Sequence, residues 1–217
     1  MNYPDPTVFS PRGRCREDDR IILLYPGSLN WHQGLDLAIR AFAMNAEIFP
    51  TSEFHIYGEG SERENLVQLT TELGLNHRVM FKAPLTLREI ALVSENSDLG
   101  VIPKRNDSFG NEAFSTKSLE FMMLGVPIII ADTTVDKFYF NTDVVTFFRS
   151  GDVADLANCM RRFMGNKLLR VQQAARARVF VESYSWDLKR MDYLALVDRL
   201  TARVDIADLA PRVEVNF

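Results

Sequence analysis

Between Arg20 and Asp132, short apolar runs take turns with segments whose apolar residues fall at helical spacing. "RIILLYPG" (20–27) reads as a buried strand closed by a Pro-Gly turn. "GLDLAIRAFAMNAEIFP" (34–50) places Leu35, Leu37, Ala38, Ala41, Phe42 and Ile48 on one helical face and stops at Pro50. "EFHIYGEG" (53–60) is a strand running into glycines. "SERENLVQLTTELGL" (61–75) is a helix, with Ser61 and Glu64 spaced as a capping box and Gly74 near its end. The strands "RVMFKAP", "DLGVIP" (98–103), "VPIIIAD" (126–132) and "DVVTFF" (143–148) continue the series, with helices at "TLREIALVSENS" and "STKSLEFMMLG" (115–125). In the latter helix Ser115 is the candidate cap and Gly125 the stop. From Asp152 the pattern is helical.

Such alternation implies right-handed crossovers and a Rossmann-like parallel sheet covered by helices on both faces, followed by a helical C-terminal segment. The expected layout is a linker over 1–19, an α/β domain over 20–201 and a tail over 202–217. The linker reading rests on "MNYPDPTVFSPRGRCREDDR", where prolines, arginines and mixed charges precede the first apolar run. A chain of 217 residues suffices for a real core.

Charge and cysteines narrow the partners. The formal net charge of −4 disfavours nucleic acid. Cys15 and Cys159 form no metal or disulfide pattern, so a reducing, cytoplasmic setting is expected. No apolar run reaches the roughly 18 residues of a membrane span.

In sheets of this class ligands bind beyond the carboxyl ends of the strands. Gly27, Gly58, Gly60 and the segment 104–115 all follow predicted strands and would share that edge. The helix beginning near Ser115 offers free N–H groups to an anion. Lys117 falls in its first turn, where an acid is the usual stabiliser, so a lysine there suits a bound anion. Lys104 and Arg105 precede it in "PKRNDSFGN" and could reach a diphosphate; an isolated basic pair is more often plain surface charge. "YGEGSE" is only part of a dinucleotide fingerprint, and no GxxxxGK[ST] loop is present. His32, His55 and His77 lack ligand spacing, and no nucleophile elbow is visible.

Glu112 and Glu120 bracket seven residues, "AFSTKSL", just before "FMMLGVPIII". This Glu-x7-Glu arrangement with its following small-residue strand resembles the C-terminal, donor-binding domain of GT-B glycosyltransferases of the retaining family 4 type. "YPGSLNWHQGLDLAIRAF", "FHIYGEGSERENL", "LGLNHRVMFKAPLTLREIALVSENSDLGVIP" and "SYSWDLKRMDYLALVDRL" resemble further segments of the same family, so the likeness spans about residues 2–200.

The resemblance implies a nucleoside diphosphate sugar as donor and no metal or other cofactor. Glu112 is expected at the donor sugar, as the catalytic carboxylate. Glu120 is expected on the ribose hydroxyls. The backbone of Phe114, Ser115 and Thr116 would face the diphosphate beside Gly27, and Val79, Met80 and Phe81 would line the base, largely through backbone. The family usually carries an arginine after the first-strand glycine and a lysine before the next glycine. Here those positions are Ser28 and Gln33, leaving Lys104, Arg105 and Lys117 as the bases on hand. The resemblance also implies a second, acceptor-binding domain that this chain lacks, with any membrane association carried by that missing half. A non-catalytic sugar-nucleotide-binding module is the rival reading. A flavodoxin-like or dehydrogenase domain is disfavoured by the absent fingerprint.

Overall fold

The computed structural model describes residues 3–184 and 186–201. Six strands form one sheet: β1 (Ile21–Pro26), β2 (Ser52–Tyr57), β3 (Val79–Lys82), β4 (Leu99–Ile102), β5 (Ile128–Ala131) and β6 (Thr146–Phe148). Their order is β3-β2-β1-β4-β5-β6, and every pairing is parallel. The order reverses between β1 and β4, so the loops that leave their carboxyl ends diverge and open a crevice.

The helices are α1 (Leu35–Ala46), α2 (Arg63–Glu72), α3 (Leu87–Glu95), α4 (Thr116–Met123), α5 (Thr134–Tyr139), α6 (Val153–Met164), α7 (Lys167–Glu182) and α8 (Trp186–Thr201). The two-residue period of the strands splits their apolar runs between two cores. Leu23, Tyr25, Phe54 and Ile129 join Ala38 and Phe42 of α1, Leu66 of α2 and Phe163 of α6. Leu24, Ile128 and Ile130 join Ala91 of α3, Leu119 and Met122 of α4 and Val181 of α7. Both faces of the sheet are thus covered, as expected. Burying each Leu, Ile or Phe contributes roughly 1.5–3 kcal/mol, which explains why continuous β-branched runs such as "IIIA" sit at the centre.

Several helix ends differ from expectation. Helix α1 stops at Ala46, and Ile48 lies beyond it, exposed. Ser61 and Glu64 do not form a capping box: α2 begins after Glu62, with no side-chain cap. The reason is tertiary. The Glu62 N–H is held by the Leu29 carbonyl at 2.9 Å, which sets where the helix starts. A complete capping box forms instead at Thr86 and Glu89 on α3. Gly74 and Gly125 terminate α2 and α4 in the left-handed region, at φ 68° and 69°.

Residues 3–20 form no helix or strand, yet they are tied down. Phe9 is buried in the second core. The Arg12 and Gly13 N–H groups donate to Glu95 at 2.5 and 2.7 Å, and Arg14 and Arg16 both pair with Asp98 at the start of β4. Met1–Glu182 forms one compact unit and a second begins at Ser183. In the second, the Trp186 and Tyr193 rings of α8 lie 5.7 Å apart. The expected tail, 202–217, lies outside the described residues. Among the described residues no helix is long and apolar enough to cross a membrane.

Candidate functional site

A cleft of about 420 Å³ opens at the carboxyl ends of β1 and β2. Pro26, Gly27 and Ser28 form one wall, Tyr57, Gly58 and Glu59 the next, Pro84, Leu85, Leu87 and Ile90 a third, and Thr116, Lys117 and Glu120 of α4 the last. The two glycine turns are pressed together: the Gly27 N–H bonds the Tyr57 carbonyl at 2.8 Å, and a Cβ on Gly58 would lie 1.9 Å from the Gly27 oxygen. Gly58 also holds φ at 143°, a region other residues avoid. The glycines therefore serve the close approach of two backbones that shapes the cleft floor.

The start of α4 leaves backbone donors unpaired. Ser115 stands at the cap position without a side-chain cap, and no acid occupies the first turn. Among the described residues the N–H groups of Phe114, Ser115, Thr116 and Lys117 find no protein acceptor. Unpaired N–H groups at the positive end of a helix suit a phosphate, and of these residues Thr116 and Lys117 line the cleft. The Ser115 hydroxyl, expected to cap, is instead buried without a hydrogen-bond partner, as is that of Ser118.

Glu120 lies one turn further, partly buried in the cleft wall. Burial pushes its pKa up, opposed by the Lys117 ammonium and the Thr116 hydroxyl. Burial pushes the Lys117 pKa down, opposed by Glu120 and reinforced by the neighbouring Lys104. Lys117 reaches across Gly27, and its ammonium stands 5.3 Å above the Tyr25 ring.

The other expected bases are committed elsewhere. Lys104 is buried; its ammonium pairs with Asp136 of α5 at 2.8 Å and donates to the Ala113 carbonyl at 2.7 Å. Arg105 donates to both Asp36 oxygens at 2.7 Å and to the Trp31 carbonyl at 3.1 Å, and stacks on the Trp31 ring at 4.5 Å. The reading of this pair as diphosphate contacts is corrected accordingly: both fold the loop that carries Glu112. Sequence spacing could not show this, since Asp136 and Asp36 lie far away along the chain.

Val79, Met80 and Phe81, expected to line the base, are not among the residues that line this cleft. They are paired within β3 to Phe54, His55 and Ile56, with Val79 in the core. The apolar wall that a base could meet lies just downstream, at Pro84, Leu85 and Leu87. Glu112 is exposed, at the end of a tight turn in which its N–H bonds the Phe109 carbonyl at 3.1 Å, and it does not line the cleft itself. The Phe114 ring packs on Tyr139 and Phe140 at 4.9 and 5.8 Å. Among the described residues no group of three His, Cys, Asp or Glu side chains could hold a metal.

Comparison with known proteins agrees with this geometry. The family model described as glycosyl transferases group 1 matches residues 11–180. A D-inositol 3-phosphate glycosyltransferase of Stackebrandtia nassauensis is 26% identical over 211 residues, covering 88% of this chain and 46% of that protein. Among solved structures, sucrose-phosphate synthase from Thermosynechococcus elongatus superposes with a TM-score of 0.76 at 21% identity, over 85% of this chain and 46% of that one. Anabaena HepE, in complex with UDP, gives a TM-score of 0.72 at 19% identity, over 85% of this chain and 49% of that one. The chain thus spans under half the length of each of these three proteins. A sheet of GT-B half type, the cleft at its reversal point and a family match across most of its length agree: the chain belongs to the glycosyl transferases group 1 family.

Proposed function

We propose that this chain binds a nucleoside diphosphate sugar and supplies the donor-binding, C-terminal half of a retaining, family 4-type hexosyltransferase. The observation that carries the proposal is the cleft wall at α4, where acceptor-free N–H groups and the Glu120 carboxylate stand side by side. N–H groups suit phosphate oxygens, and a carboxylate suits the vicinal hydroxyls of ribose. The diphosphate lies at the start of α4, the ribose against Glu120 and the base against Pro84, Leu85 and Leu87. The sugar extends towards Glu112. HepE was solved with UDP, which is consistent with a nucleotide here.

Transfer to an acceptor hydroxyl needs a second wall, contributed by an N-terminal acceptor-binding domain. The chain by itself binds donor and does not transfer it. As the bond to phosphate breaks, the helix terminus and Lys117 stabilise the leaving diphosphate by fixed electrostatics. Retention then follows a front-face or short-lived ion-pair route, and no metal takes part.

A specific observation favours a second reading, a non-catalytic sugar-nucleotide-binding module. Ser28 and Gln33 carry no charge, and Lys104 and Arg105 are engaged within the protein.

Thermal unfolding in the presence of UDP-, GDP- and ADP-sugars tests the binding claim. Stabilisation by one nucleotide series, unchanged by chelator, is expected. Stabilisation by NAD or FMN alone, or dependence on a divalent cation, contradicts it. Within the same assay Glu120→Ala is expected to weaken nucleoside diphosphate binding about ten- to a hundredfold, the worth of a charge-assisted hydrogen bond of roughly 1.5–3 kcal/mol. Calorimetric titration of the variant checks this, and unchanged affinity would remove Glu120 from the ribose.

A further inference from the structure

The cleft contains acids on two sides, Glu59 and Glu120, but a single basic side chain, Lys117. The ammonium of Lys117 has no acid within ion-pair distance among the described residues. An unpaired, half-buried cation is costly, and it persists only where something in the surroundings, or a ligand, offsets that cost. Here the offset is partial. The Tyr25 ring beneath it supplies a cation–π contact at 5.3 Å, and Glu120 acts at longer range.

Tyr25 is held rigidly for this. It is fully buried, and its phenol donates towards the Ser28 carbonyl at 2.9 Å and the Gln33 Oε1 at 3.0 Å. Those bonds tie the loop after β1, the start of α1 and the lysine pedestal into one unit. The far end of Lys117 runs over Gly27, its Nζ 2.9 Å from where a Cβ would stand, and only a residue without a side chain leaves that path open. Thr116 and Lys117, whose N–H groups find no acceptor among the described residues, line the same cleft.

We propose that Lys117 is the sole side-chain cation of the phosphate site, positioned by Tyr25, and that it does from α4 the work for which the loop positions Ser28 and Gln33 carry no charge. The proposal rests on the reading of the cleft as a nucleoside diphosphate site. Two consequences follow from its geometry. The lysine discriminates by phosphate charge and leaves the nucleoside alone. A cation moved to position 33 lands at the same corner: Gln33 Oε1 meets the Tyr25 hydroxyl at 3.0 Å, and that hydroxyl and the Lys117 ammonium lie 3.2 and 2.9 Å from the same point over Gly27.

The test is calorimetric titration of the folded chain with UDP, GDP and ADP, and with the corresponding nucleosides. Lys117→Met is expected to weaken the preferred diphosphate about tenfold, or about 1.4 kcal/mol, and to leave the weaker nucleoside binding unchanged. Lys117→Arg keeps the charge and is expected to stay within threefold of the parent. Gln33→Lys, introduced into Lys117→Met, is expected to recover most of the loss. Circular dichroism on each variant confirms folding. Parental affinity in Lys117→Met overturns the assignment. Equal loss in Lys117→Met and Lys117→Arg, or no recovery with Gln33→Lys, overturns the claim that charge at this point is what binds. If the parent chain binds none of the three diphosphates, the reading of the cleft itself fails, which is a separable result.

Discussion

Replacing Lys104 by methionine is expected to destabilise the fold by about 3–5 kcal/mol, the usual cost of leaving a buried charge without its partner. Asp136 is fully buried on α5, and its Oδ2 accepts from the Lys104 ammonium and the Thr133 hydroxyl, while its Oδ1 finds no partner. Burial already pushes the Asp136 pKa up, and Lys104 is the main influence holding it down. Methionine fills the space of the lysine stem but removes that influence. The buried carboxylate then favours its neutral form.

The sign of the pH dependence follows. A carboxyl whose folded pKa is raised destabilises the native state at pH above that raised value, and less so as acidification protonates it. The deficit of Lys104→Met is therefore largest near and above neutral pH and shrinks towards acid. Adding Asp136→Asn should recover much of the loss, because no charge is then left unpaired. Urea unfolding of the two variants measures both effects. If Lys104→Met instead folds as well as the parent and loses nucleotide affinity, the lysine faces phosphate and the pairing with Asp136 is incidental.

Glu112→Gln is expected to lower transfer about a hundredfold or more in a protein that also carries the acceptor-binding half. Removing one preorganised group at a centre where charge develops typically costs about 10²–10³ in kcat. In the proposed reaction positive charge grows on the sugar as the bond to diphosphate breaks, and Glu112 at its edge would strengthen its contact as this happens. The amide keeps the shape and loses the charge. Lys104 holds the Ala113 carbonyl, and the Phe109 carbonyl holds the Glu112 N–H, so the loop retains its form in the variant. Nucleoside diphosphate affinity should hence be near parental while kcat falls, the signature of an interaction made in the transition state. Full kcat in Glu112→Gln would move the reacting sugar elsewhere.

The architecture was legible because the strands are short β-branched runs whose two-residue period feeds two cores, a pattern tolerated only by a sheet covered on both faces. Local chemistry decides a helix cap only where it acts alone. The box of Thr86 and Glu89, which the sequence analysis did not name, closes between residues three apart, whereas at Ser61 the Leu29 carbonyl dictates the start of α2. Helix α5 escaped notice: it has six residues, and its central acid is stabilised by Lys104 from another part of the chain. The same physics explains the two misread bases. Sequence shows that Lys104 and Arg105 are cations near a strand end, but their acids come from α5 and α1, brought close only by the fold. Glu120, Lys117 and Gly27 line one cleft because each follows or opens an element at the same sheet edge.

The central claim is that the start of α4 holds the diphosphate of a nucleotide. Amide chemical-shift mapping of the isotopically labelled chain during titration with the preferred nucleoside diphosphate tests it most directly. The amides of Gly27, Ser115, Thr116 and Lys117 are expected to move together and saturably, with those of Val79, Met80 and Phe81 nearly still within β3. Saturable shifts centred on any other surface, with the α4 amides unmoved, would contradict the account.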